Sequence, residues 1–285
     1  MTGAPVAMAD PQYIDFHRNT PVLTTAGGRS WSMRGQNFLL EYIEAAAGDA
    51  FVRHAQGEHI LLVLDDVDVD VALSVDDHRA DVDTAAVVVL PSGTNTVQVN
   101  RPTRLVHLVD ARDPNAVKNT MNAERYATPD ARVAGITVTP RHHPRATPEI
   151  FRLSDYPPES GRFGTIFRSE TLLVNILDTQ IGPRDPDKLS PHHHDDFEQC
   201  SLAVEGQWVH HLRTPWVTQR SQWKDDEHHR IGSPSATIIP PPLVHTSEAV
   251  GDNVNRLIDI FCPVRQDFVD RGWVLNACNY SDVPR

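Results

Sequence analysis

The chain has 285 residues, 40% of them hydrophobic, enough to bury one large core or two of about 100–150 residues each. Its 26 Lys+Arg against 38 Asp+Glu give 26 − 38 = −12, which argues against nucleic acid as a partner, because a polyanion needs a basic face for counterion release. The longest apolar runs, such as residues 85–90, fall far short of the ~20 needed to span a bilayer, so no membrane partner is expected.

The first residues lack the basic start and apolar stretch of a secretory signal, and a cytoplasmic location is expected. Cys200, Cys262 and Cys278 are odd in number and without CxxC spacing, so they read as core or reduced surface thiols. Along the chain the dominant period is two. Strands are expected at 37–45, 85–91, 104–111, 171–178, 199–206, 207–213, 236–240 and 255–262. Around 66–75, Val67, Val69, Val71, Leu73 and Val75 alternate with Asp66, Asp68 and Asp70, which predicts a half-buried strand pair with a solvated acidic face. Carboxylates spread along a strand do not converge as a calcium loop requires. Short helices fit only near 113–125 and 264–275.

Many short strands separated by Pro, Gly and Asp turns indicate an all-β fold, an antiparallel sandwich or barrel. Residues 127–149 carry four prolines and no apolar period, so they read as a connector between β-rich parts at 1–126 and 150–285. The two parts repeat one order of features. From Arg34 the chain runs through a strand to His54 and Glu58, then to a turn at 90–96. From Arg168 it runs through a strand to His194 and Glu198, then to a turn at 239–246. The chain reads as a duplicated, diverged domain.

The second part concentrates the histidines. On a strand, residues two apart share a face, so His192, His194 and Glu198 are expected to point into one cavity, with His193 opposite. His245, after the Pro240–Pro242 corner, is the expected fourth ligand. Three imidazoles and a carboxylate suit Fe(II), Mn(II), Ni(II), Co(II), Cu(II) or Zn(II) without naming one. The bland alternative is a polar loop with a satisfied core histidine at 245. The pairs His142/His143 and His228/His229 read as loop residues.

These residues resemble the cupin motifs. His192-x-His194-x3-Glu198 is followed after seven residues by Gly206, where the first motif usually has six, and Pro240-x-Pro242-x-x-His245 is similar to the second, whose middle Pro is normally Gly. Residues 259–268 look like the closing strand of small cupins. The resemblance implies two jelly-roll barrels in tandem, a bicupin, with one metal per chain in the second. In the first, Val52 and Thr96 stand at two ligand positions, so no metal is expected there. His54 and Glu58 read as a polar pair or exposed remnant, on a domain serving as scaffold, dimer surface or lid.

An octahedral ion with four protein ligands keeps two positions for substrate or dioxygen. The resemblance tilts the reading toward Fe(II) and a dioxygenase-type oxidoreductase acting on a small carboxylated or aromatic compound. A non-redox isomerase, decarboxylase or lyase is the alternative, and a binding protein without turnover a third. Acid–base candidates are His210, Glu248 and Tyr280. The segment 213–232, longer than its counterpart in the first half, offers Arg213, Trp216, Arg220 and Trp223 as a lid over substrate or as a surface excursion. Arg168 and Asn175 are further candidate anchors, Arg168 as a carboxylate clamp or an ion-pair partner. Exposed strand edges and the resemblance suggest a homodimer.

Overall fold

The structure, a computed structural model, describes residues 8–25, 27–112 and 117–281. The first part forms β1 (Gln12–Asp15), β2 (Leu23–Thr24), β3 (Arg29–Arg34), β4 (Phe38–Ala45), β5 (Ala50–Ala55), β6 (His59–Val63), β7 (Val71–Val75), β8 (His78–Val82), β9 (Ala86–Leu90), β10 (Gly93–Val99) and β11 (Thr103–Asp110). The second forms β12 (Glu149–Arg152), β13 (Thr165–Arg168), β14 (Leu173–Ile176), β15 (Gln180–Ile181), β16 (Gln199–Glu205), β17 (Gln207–Arg213), β18 (Glu227–Gly232), β19 (Ser235–Ile239), β20 (Val244–Ala249) and β21 (Val254–Phe261), then α1 (Gln266–Asp270).

These strands make two antiparallel barrels. The first joins a seven-stranded sheet, β12-β9-β6-β11-β4-β3-β2, to the four-stranded sheet β5-β10-β7-β8. The second joins β1-β19-β16-β21-β14-β13, with β15 beside β21, to the three-stranded sheet β18-β17-β20. The orders correspond over β12-β9-β6-β11-β4-β3 and β1-β19-β16-β21-β14-β13, and over β10-β7-β8 and β20-β17-β18, as the repeated features predict, while β2 has no counterpart and β5 pairs with β10 where β15 pairs with β21. Each barrel also lends an edge: β1, near the start of the chain, pairs with β19, and β12, just after the proline-rich stretch, pairs with β9.

The large sheets pack face to face. Ile60, Leu62 and Leu108 of one meet Cys200, Leu202 and Ile260 of the other in a single apolar cluster, while Leu61, Val88 and Leu105 fill the first barrel's interior. Each central strand is thus buried on both sides, which is why β6 and β9 read as unbroken apolar runs. Most predicted strands are found within a residue or two of their expected ends. The acidic stretch differs: only Val71–Val75 forms a strand, Val67 is 76% exposed, and Asp68 takes a φ of 57° in the preceding turn. Its carboxylates pair with Arg256, Arg101 and Asn100. Of the helix expected near 113–125, residues 113–116 lie outside the described residues, 117–122 form turns, and only a 3-10 turn at Ala123–Tyr126 is helical.

Two glutamates cross between the barrels in the same way. Glu198 accepts from the backbone N–H of Gln36 (2.5 Å) and the hydroxyl of Tyr126 (3.1 Å). Glu58 accepts from the backbone N–H of Glu170 (3.1 Å) and the hydroxyl of Tyr280 (2.8 Å), and pairs with Arg141 (3.1 Å). Each tyrosine lies under an arginine, Arg34 over Tyr126 and Arg168 over Tyr280. Each arginine's backbone is held at both N–H and C=O by an asparagine amide, Asn122 or Asn276. Removing one hydroxyl leaves a buried carboxylate short of a donor, so Tyr126→Phe and Tyr280→Phe are each expected to cost ~1–3 kcal/mol in urea unfolding.

Burial pushes the Glu198 carboxyl up to about 7 and raises that of Glu58 as well. A carboxyl raised in the folded chain contributes stability that is full below its unfolded value and lost as pH climbs through the folded one. From pH 5 to pH 8 the urea midpoint of Glu198→Gln should therefore rise relative to that of the wild type. A constant difference between the two over that range would show that Glu198 does not carry the effect.

Candidate metal centre

His192, His194 and His245 converge at one end of the second barrel, their ligand nitrogens within 4.8 Å of one another. His192 and His245 are brought together by an antiparallel bridge between their backbones (N···O 3.0 and 2.7 Å), and His194 stacks on Phe197 at 4.6 Å between ring centres. The Pro241–Pro242 peptide at the corner before His245 is cis. Burial lowers His194 to about 3 and His245 to about 4, so both rings are neutral at pH 7.

Glu198 does not join them. Its carboxylate faces the other barrel, and Gln199 stands at the cluster instead, its Oε1 lying 2.9 Å from His194 Nε2 and 3.2 Å from His245 Nε2. The expectation failed because strand alternation was carried across residues 195–198, which are not strand; β16 begins at Gln199. From there the odd residues Gln199, Ser201 and Ala203 face the barrel interior, while Cys200 and Leu202 face the other barrel. The missed signal was the spacing to Gly206. Counted from Gln199, it is the usual six residues.

The donors fit a cation. His245 Nδ1 lies 2.9 Å from the carbonyl oxygen of Leu243, a group that only accepts, so Nδ1 carries the ring's single proton. Its Nε2 then presents a lone pair toward Gln199 Oε1, whose own amide N–H groups are donated to Ser201 Oγ (2.9 Å) and Asp259 Oδ1 (3.0 Å). Two acceptors turned toward one point at 3.2 Å from each other are an arrangement that a positive ion bound to both would satisfy. His192 Nδ1 likewise bonds the carbonyl of Ser190 (2.9 Å) and turns its other nitrogen to the cluster. The triad with Gln199 can thus hold a divalent metal.

A cavity of about 230 Å³ opens beside these residues, lined by His192, Gln199, His245 and Asp259, by Leu177, Trp208 and Leu257, and by Arg162 and Arg184. Burial raises the Asp259 carboxyl to about 6.

The other expected residues are placed elsewhere. His210 is buried under the cluster, bonded through Nδ1 to Ser247 Oγ (2.9 Å), with no partner at Nε2, and burial lowers it to about 3. Asn175 is fully buried beside Asp259 in the strand register, neither amide atom bonded. Glu248 points outward to His211 (2.8 Å), because odd residues of β20 face inward. Tyr280 and Arg168 belong to the contact between barrels, so neither serves this cavity. Trp216, 75% exposed, stacks on Trp223, and Arg213 pairs with Asp226 on the surface. With Arg220, also exposed, they stay outside this cavity, although Arg213 borders a second hollow beside His245.

In the first barrel the strand registers place Arg53, His59, Asn95 and His107 where the second has His192, Gln199, His245 and Asp259. His54 is exposed on Thr94 and Glu58 faces away, so the two do not pair.

No family model matches the chain, and no curated protein matches it. Solved structures do. Lactobacillus farciminis oxalate decarboxylase, in a formate complex, is 12% identical, with a TM-score of 0.60 over 92% of this chain and 88% of its own. AerE from Microcystis aeruginosa is 9% identical, with a TM-score of 0.56 over 90% and 99%. A cupin 2 conserved barrel domain protein from Leptotrichia buccalis is 9% identical, with a TM-score of 0.50 over 90% and 98%. The fold is that of the cupin barrels. At these identities the likeness speaks for the fold, and the chemistry rests on this chain's own residues. No helix among the described residues is long and apolar enough to cross a membrane.

Metal content by elemental mass spectrometry separates the two glutamate-position residues. About one divalent ion per chain is expected in the wild type, following the one site of four donors among the described residues. It should be lost in His194→Ala and His245→Ala and depleted in Gln199→Ala. Glu198→Ala should retain it while unfolding at lower urea.

Proposed function

We propose that the chain is a bicupin enzyme that uses one divalent metal, in its second barrel, to act on a small oxygenated molecule by non-redox chemistry: decarboxylation, isomerisation or elimination. The observation that carries this reading is the pair of acceptors, His245 Nε2 and Gln199 Oε1, turned toward each other at the wall of a small cavity. Four neutral donors leave the ion's full positive charge in place. When bound, it supplies a Lewis acid for a carbonyl or carboxylate.

The chain supplies the rest. The cavity is smaller than the ~300–1,000 Å³ typical of drug-sized ligands, which selects a compact substrate. Arg162, paired with Glu159, and Arg184 stand at this cavity against Asp178 and Asp259, so an anionic substrate would draw chiefly on the ion itself. Leu177, Trp208 and Leu257 exclude water and hold the substrate's carbon skeleton. Asp259 has Oδ1 engaged by Ser201 and Gln199, which leaves Oδ2 to take or return a proton.

The dioxygenase reading rests on a different feature: two positions of an octahedral ion remain for substrate and dioxygen, and Fe(II) suits imidazole donors. One experiment separates them. Protein loaded with Mn(II) or Fe(II) is given oxalate, small keto acids and hydroxy ketones with and without dioxygen, and products are followed by NMR and carbon dioxide release. Turnover without dioxygen is expected. Strict dependence on dioxygen, with its stoichiometric consumption, would establish the oxidative reading, and tight binding without turnover under either condition would make this a binding protein.

A further inference from the structure

A glutamine side chain has two unlike ends, and only its carbonyl oxygen can serve a cation. The terminal torsion has two states of similar intrinsic energy, so something must choose between them. At Gln199 the choice is made from behind. Its Nε2 donates to Asp259 Oδ1 (3.0 Å) and to Ser201 Oγ (2.9 Å), and Ser201 donates to the same Oδ1 (2.7 Å). Ser201 and Asp259 face each other in the register of β16 and β21, so the backbone fixes the three groups together. All three are buried. A flipped amide would set Oε1 against the carboxylate and point N–H groups at the histidines.

We infer that Asp259 is a positioning residue for the metal centre, acting through Gln199 to hold the amide oxygen toward His194 and His245. Its charge also draws on the amide N–H and makes Oε1 a stronger donor, so the negative charge absent from the ligand set stands one residue behind it. The first barrel uses the same two places for a different pair. There His59 and His107 bond each other at 2.6 Å, the residue at the place of Gln199 again held by the one at the place of Asp259.

The inference rests on the proposed metal site, and Co(II) titration, followed by visible absorption, tests both. A glutamate at 199 has two equivalent oxygens and needs no orienting. Asp259→Ala should weaken Co(II) binding ~10–100-fold in the wild-type background, in the range seen when outer partners of metal ligands are removed. Asp259→Asn, which keeps an acceptor oxygen, should recover most of it. In the Gln199→Glu background, Asp259→Ala should cause no weakening. Equal losses in both backgrounds would mean that Asp259 merely supports the barrel, and undiminished binding by Asp259→Ala alone would likewise overturn its role. Urea unfolding checks each variant, and Asp259→Leu, which fills the same buried space without an acceptor, carries the comparison if the alanine variant is unfolded. Wild-type protein that takes up no Co(II) would overturn the proposed function itself, and this inference with it.

Discussion

Burial of the central strands on both faces is the constraint from which the rest of the structure follows. With two large sheets packed face to face, alternate residues of β6 and β16 have only two places to go: into their own barrel or against the other one. A side chain's chemistry must suit its side. Cys200 and Leu202 supply the apolar seam between barrels, Gln199 and Ser201 the polar interior, and a shift of one residue would exchange them. Glu198 and Glu58, just before those strands, fall on the seam, where each needs donors from the opposite barrel and finds a tyrosine and a backbone N–H.

The seam has kept its symmetry while the interiors have diverged. Arg34, Asn122 and Tyr126 repeat as Arg168, Asn276 and Tyr280, contact for contact. Inside, the registers set Leu61 and Val88 of the first barrel where the second has Ser201 and Thr237. One interior is closed largely by hydrocarbon around a His59–His107 pair. The other keeps polar groups around a cavity. Both barrels need the same seam to bury their sheets, so divergence is confined to positions that the seam does not use.

The chemistry proposed for the second barrel depends on how charge is distributed. A ligand carboxylate would partly neutralise a divalent ion, whereas an amide leaves it strongly polarising. Asp259 restores a negative charge at one remove, where it also governs which end of the amide faces the ion. The residue that completes the ligand set is thereby tied to the floor of the cavity in which substrate would sit.

The sequence alone determined the strands, their duplication and three of the four cluster residues, because period-two patterning and a histidine triplet followed by a distant histidine are local signals. It assigned the remaining place to Glu198, where the structure sets Gln199. Both are polar, and the residues before them form no strand, so alternation could not be extended from His194. Only the tertiary structure decided between them, by setting the seam on one side of β16 and the cavity on the other. The same holds for Tyr280, Arg168 and Glu248. Their residue types suited catalysis, but packing against the other barrel or facing outward assigned them structural partners. Asp259 lay unnoticed in an apolar strand. Its place beside Gln199 exists only because β16 and β21, more than fifty residues apart in the chain, are neighbours in the sheet.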